Sequence, residues 1–195
     1  MSAKILTISR EFGSGGRFIG EEIAKKLGMK YYDKDIIETL EKETGLDRDF
    51  IEKSGEYAPA KGIFAYSFLG RDGSGRSIQD IIYEAQRKII LELAEKESFV
   101  IIGRNADYIL KDRDDVLNVF IHGDKPEKVK RICGLYDLTE REAEKRLVEI
   151  DKRRATHYHF YTDREWAKSQ NYDLCLNSSV LGYEKCEEII ISCMK

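Results

Sequence analysis

The first seventeen residues constrain this chain more than any other stretch. An apolar run, Ile5-Leu6-Thr7-Ile8, ends in Ser9-Arg10-Glu11-Phe12. Gly13-Ser14-Gly15-Gly16-Arg17 follows, and a helix-patterned segment begins directly after it. A strand, a glycine-rich turn and a helix N-terminus together form an anion cradle. Glycines let the backbone turn through positive φ and bring several N–H groups toward one oxyanion. The helix start adds unpaired N–H groups and about half a unit of positive charge. Arg17 adds a permanent full charge.

The turn resembles the phosphate-binding pattern G-x-x-x-x-G-K-[ST] without matching it fully. Counting back from Gly16, Glu11 stands at the first glycine position, while Arg17 takes the lysine position and Phe18 the hydroxyl position. The competing reading is an ordinary βα turn with a solvated arginine. Its place at the first strand of an alternating α/β chain favours phosphate, because ligands gather there in open parallel sheets.

The 195 residues suffice for one domain with a substantial core. A net charge of −3, from 33 Lys and Arg against 36 Asp and Glu, argues against wrapping nucleic acid, so any anion site has to be local. The four cysteines, Cys133, Cys175, Cys186 and Cys193, form no C-x-x-C pair and read as buried thiols of a reducing compartment. No apolar run approaches bilayer length and no leader pattern is visible, so the expectation is a cytoplasmic protein without a membrane partner. Nothing in the sequence indicates an oligomer.

Strands are expected at Lys4–Ser9, Met29–Tyr32, Phe99–Ile102, Val116–Ile121 and Asp173–Leu176. Helical spacing appears in Ile19, Ile23, Ala24 and Leu27, closed by Gly28, and in Ile36, Ile37 and Leu40, closed by Gly45. A long helix follows Ser77, with an apolar face through Ile78, Ile82, Ile89 and Leu93. Asp124 with Pro126 starts another helix, and Thr139 with Glu142 forms a capping box for the next. Tyr183 to Cys193 is the last. Strands alternating with helices predict a three-layer α/β domain around a parallel sheet. Residues 46–76 are the least regular part and read as a binding insertion or a surface excursion.

Three charged groups map beyond the strand ends: the Gly13–Arg17 turn, Arg104 with Asn105 and Asp107, and Arg153-Arg154. The last pair reads either as a mobile basic lid or as a solvated helix face. Asp33, Lys34 and Asp35 follow the short second strand, where Asp33 is a substrate-positioning group or a helix cap. Phosphoryl transfer uses such cations because charge spreads over the oxygens of the migrating group.

On Ile8–Arg17, Tyr32-Asp33-Lys34, Ile102-Gly103-Arg104-Asn105 and Tyr172-Asp173-Leu174, the chain resembles the cytidylate kinase-like family of P-loop nucleoside monophosphate kinases along nearly its whole length. The resemblance implies one P-loop kinase domain over residues 1–195, with a helical acceptor-binding insertion at 46–76 and a lid at 151–166. It implies ATP with Mg²⁺ and small-molecule nucleotide partners, with CMP or dCMP as acceptor. ATP phosphates are expected on Gly13, Ser14, Gly15, Gly16, Arg17 and Phe18. The acceptor is expected on Asp33, Lys34, Arg87, Arg104 and Asn105, and catalysis on Arg17 and on a lid arginine that falls on Arg153 or Arg154. No metal ligands are identified. Cytidylate kinases proper carry lysine and a small residue where Arg17 and Phe18 stand here. The alternatives are a metabolite kinase of the same fold, with Asp33 or Asp35 as base, and a nucleotide-binding protein without turnover.

Overall fold

The computed structural model describes residues 3–33, 35–45, 51 and 77–194. Five parallel strands stand in the order β2-β3-β1-β4-β5: β1 is Ile5–Arg10, β2 Lys30–Tyr32, β3 Phe99–Ile102, β4 Val116–His122 and β5 Leu174–Asn177. β1 pairs with β3 through Ile5↔Phe99 and with β4 through Ile5↔Val116. The chain passes from β1 to the edge strand β2, returns to β3 beside β1, and then crosses to β4 and β5 on the other side. The carboxyl end of β1 is therefore the switch point of the sheet, where a crevice opens.

The alternation of side chains along a strand fills both faces. Phe99 and Ile101 join a cluster with Ile36, Leu40, Ile82 and Ile90, while Val100 and Ile102 join one with Ile19, Ile23, Ile121 and Ile190. Each such fully buried side chain contributes about 1.5–3 kcal/mol, which is why the β3 run contains no polar residue.

Helix α1, Gly16–Leu27, starts in the glycine turn and ends at Gly28, whose φ is 65° and whose N–H bonds Ala24 O and Lys25 O. Leu27, expected on the buried face, is 37% exposed, because the helix has cleared the sheet by its last turn. Helix α2 is Asp35–Thr44. Helix α3, Ile78–Lys96, is capped by Ser77, whose Oγ accepts the Asp80 N–H. A short α4, Ala106–Ile109, follows β3. Helix α5, Lys125–Tyr136, has proline in its first turn, and α6, Glu140–Thr162, carries the complete Thr139–Glu142 capping box. A short α7, Ser178–Leu181, precedes α8, Tyr183–Met194.

Residues 151–162 of the segment read as a lid are thus the last turns of the 23-residue helix α6. The insertion at 46–76 lies outside the described residues except for Ile51, a buried core residue, and Lys34 lies outside them as well. The cysteines are not uniformly buried: Cys186 is, Cys175 and Cys193 are exposed, and all four are thiols. No helix among the described residues is long and apolar enough to cross a membrane.

Candidate functional site

The turn between β1 and α1 has the backbone that its glycines predict. Gly13 and Gly15 have φ of 82° and 81°, and Gly15 is the left-handed N-cap of α1. At Gly15 a Cβ would come 2.6 Å from the Tyr183 ring, so only glycine fits there. Ser14 is spent on holding the turn: its hydroxyl donates to Glu11 O at 2.9 Å, and its own carbonyl accepts from Ser178 Oγ at 2.7 Å. Glu11 fastens the turn from the other side. Its carboxylate accepts from Lys128 Nζ at 2.6 Å and from the Gly123 N–H at 3.1 Å. The phenyl ring of Phe18, which replaces the usual hydroxyl, is 43% exposed and lies against Tyr183 with ring centroids 5.7 Å apart.

Arg17 is committed to a partner. Its Nε and Nη2 donate to Asp33 Oδ2 at the end of β2. Partial burial alone would lower the Arg17 pKa, but the Asp33 charge and hydrogen bond outweigh it and raise it.

A second special backbone follows β3. Gly103, Arg104 and Asn105 all have positive φ, at 68°, 62° and 53°. A left-handed non-glycine residue costs about 1–2 kcal/mol, so the surrounding fold has to hold Arg104 there. Gln86 Nε2 donates to Arg104 O at 3.0 Å, and Asn105 Nδ2 meets His157 Nδ1 at 3.5 Å. A Cβ at Gly103 would meet the Arg10 guanidinium, and its φ of 68° lies in the left-handed region that favours glycine.

Helix α6 closes the third side. Asp151 Oδ1 accepts the Phe12 N–H at 2.7 Å, and Arg154 Nη1 donates to Arg10 O at 3.1 Å. One helix thereby grips the chain on both sides of Glu11. Further along, Tyr158 donates to Asp107 Oδ2 at 2.7 Å, and burial pushes the Asp107 carboxyl up to about 6 against the lowering effect of that hydrogen bond.

These groups enclose a cleft of about 740 Å³ that the glycine turn shares with Arg10, Arg17, Phe18, Asp33, Arg104, Arg131, Arg146, Arg153 and Arg154. A small pocket at its back adds Asn105, His157 and Trp166. The expected residues Gly13, Gly15, Gly16, Arg17, Phe18, Asp33, Arg104, Asn105, Arg153 and Arg154 are therefore brought together. Arg87 is not among them. It lies on a separate groove with Asp80, Tyr83 and Phe160. Successive helical residues point about 100° apart, so Gln86 and Arg87 cannot both face the Arg104 loop, and buried Gln86 is the one that does.

Sequence reasoning missed Arg10, Arg131, Arg146 and Asp151. Arg10 ends an apolar strand just as Arg104 follows one, and that parallel was readable. Nothing local distinguishes Asp151 from its charged neighbours. Arg131 donates to Tyr183 OH at 2.9 Å, beside a second groove lined by Gly13, Ser179 and Gly182 that opens off the glycine turn.

A model of the cytidylate kinase-like family matches residues 5–180. A cytidylate kinase from Archaeoglobus fulgidus is 29% identical over 97% of this chain and 94% of its own length. An uncharacterized protein from Eubacterium ventriosum superposes with a TM-score of 0.74 at 27% identity, covering 97% of each chain. Shikimate kinase from Bacteroides thetaiotaomicron superposes at 0.55 with 15% identity over 97% of each, a likeness of fold.

Proposed function

The chain belongs to the cytidylate kinase-like family, and from that premise we propose that it transfers the terminal phosphoryl group of ATP to a nucleoside monophosphate, CMP or dCMP. The observation that carries this is the charge of the cleft. Its described lining holds seven arginines against Glu11, Glu21 and Asp33, so seven minus three leaves four positive charges in excess. That excess suits two phosphate-bearing ligands better than one.

ATP phosphates would lie on the amides of Gly13 to Gly16, and the positive-φ cradle at Gly13 and Gly15 fits them. Arg17 would meet the β- and γ-phosphates, Arg104 with Asn105 the acceptor phosphate, and Arg153 and Arg154 the migrating group. Such a transfer needs positioned charge more than covalent chemistry. An acceptor phosphate is already anionic, so no general base is required. Phe18 offers no hydroxyl to a cation, and Ser14 and Glu11 are spent on the turn. The residues fit a Mg²⁺ that would be carried mainly by phosphate oxygens and water. When bound, that ion would neutralise charge on the β- and γ-phosphates.

The metabolite-kinase reading needs Asp33 or Asp35 as a base, and of the two Asp33 is already paired with Arg17. Binding without turnover is favoured by Phe18 and by that same pair. A coupled assay of ADP release over a panel of nucleoside monophosphates tests the proposal. Turnover is expected with CMP or dCMP. Stabilisation by ATP with no transfer to any of them would replace the proposal with the binding reading.

A further inference from the structure

Arg17 occupies a position where this kind of turn ordinarily carries lysine. The two side chains present charge differently. A lysine ammonium is a compact point charge, whereas a guanidinium is a planar fork whose value depends on its orientation. A half-exposed arginine on the first turn of a helix would sample many rotamers, and ordering such a side chain costs conformational entropy. Here the ordering is built into the fold. The Arg17 side chain is 51% exposed, while its partner Asp33 is 12% exposed and fixed at the end of β2. Nε and Nη2, one edge of the fork, both turn to Asp33 Oδ2. The backbone of Arg17 is tied to the same strand, because Tyr31 OH donates to Arg17 O at 3.3 Å. β2 is held in turn by the register Tyr32↔Ile101 against buried β3.

We propose that Asp33 is a positioning residue for Arg17, holding one edge of the guanidinium so that the opposite edge faces the phosphates in the cleft. This rests on the ATP-binding part of the proposed function and reassigns Asp33 from the acceptor to the donor phosphates. Asp33 lines both the glycine-turn cleft and the pocket behind Arg104. Arginine at 17 and aspartate at 33 then form one functional unit, and neither is exchangeable alone.

The test is a double-mutant cycle on the intact chain, with Asp33→Asn, Arg17→Lys and the double variant titrated with ATP and Mg²⁺ by calorimetry. Residues in direct contact couple strongly. Asp33→Asn is expected to weaken ATP binding about fivefold or more in the presence of Arg17, yet to change affinity less than about twofold once residue 17 is lysine. Asp33→Glu is expected to recover part of the loss, and thermal melts confirm that each variant is folded. Unchanged ATP affinity in Asp33→Asn would overturn the assignment, as would losses that simply multiply in the double variant. So would a rise in KM for CMP with ATP affinity untouched, which would return Asp33 to the acceptor. A wild-type chain that binds ATP but phosphorylates no nucleotide would remove the proposed reaction while leaving the cycle fully readable.

Discussion

At the scale of single residues, two left-handed stretches of backbone border the cleft, at Gly13 and Gly15 and at Gly103 to Asn105. Gly15 is the clearest case. Its φ of 81° and the Tyr183 ring 2.6 Å from any added Cβ make Gly15→Ala both strained and crowded. The variant is expected to lose ATP affinity at least about tenfold, or about 1.4 kcal/mol, in calorimetry. Affinity equal to wild type would show that the amides of this turn do not hold the nucleotide. Arg17→Ala is expected to weaken ATP by a similar factor, but for a different reason, the loss of a charge and of the partner of Asp33. Asp107 makes a separate and sharper case. Its carboxyl, buried against Tyr158 and Arg164, is pushed from 3.8 up to about 6. The folded chain therefore keeps a proton that the unfolded chain has released. The stability this contributes is fully present below about pH 3.8 and is lost as pH rises through about 6. Asp107→Asn keeps an acceptor for the Tyr158 hydroxyl and carries no charge. Relative to wild type it is expected to gain stability steadily between pH 4 and about 6.5, reaching about 1–3 kcal/mol near pH 7 in urea unfolding. A variant less stable than wild type at pH 7 would mean that the ionised carboxylate is compensated by Arg164.

At the scale of elements, legibility follows the range of the interaction. The β3 run, the Gly28 cap, the Ser77 cap and the Thr139–Glu142 box are set by neighbours within a few residues, and periodicity or cap chemistry reveals them. The glycine turn was legible for the same reason, since positive φ is written in residue identity. Partners of charged side chains were not. Arg17 meets Asp33 across 16 residues and Asp151 meets the Phe12 N–H across 139, and no local pattern records either pairing. Arg87 stands apart from the cleft for a helical reason, because it shares a sequence motif with Gln86 but not a helix face. The joint between α6 and the glycine turn yields its own prediction. Asp151→Ala leaves the Phe12 N–H without its acceptor and takes away a charge near Arg154, which lies 3.5 Å from Asp151. A lost partner of this kind costs about 1–3 kcal/mol. Urea unfolding should show that loss, and Asp151→Asn, which still offers an acceptor, should recover most of it. If Ala and Asn were equally harmful, the charge toward Arg154 would be what matters, and the bond to Phe12 would be incidental.

At the scale of the whole molecule, two electrostatic facts of opposite sign coexist. The chain carries a net charge of −3, which repels anions at long range. The cleft carries four positive charges in excess among its described residues, which attracts them at short range. The sheet order explains how they can coexist. Because β1 sits between β3 and β4, the ends of β1 and β3 deliver Arg10 and Arg104 to the same crevice, and α6 lays Arg153 and Arg154 across it. Charges scattered along the sequence are thus concentrated on one side of the sheet. Salt tells which of the two fields governs binding. Between about 0.01 M and about 0.1 M ionic strength the screening length falls from about 30 Å to about 10 Å. If the overall negative charge dominated, added salt would relieve repulsion and tighten nucleotide binding. If the arginine cleft dominates, added salt weakens it, and Arg153→Gln flattens the dependence by removing one contributing charge. We expect dissociation constants for ATP, measured by calorimetry in a chloride series, to rise several-fold over that range, with a shallower slope in Arg153→Gln. A dissociation constant that fell with salt would place the nucleotide outside the arginine cleft, because no anion held among those guanidinium groups could gain from having them screened.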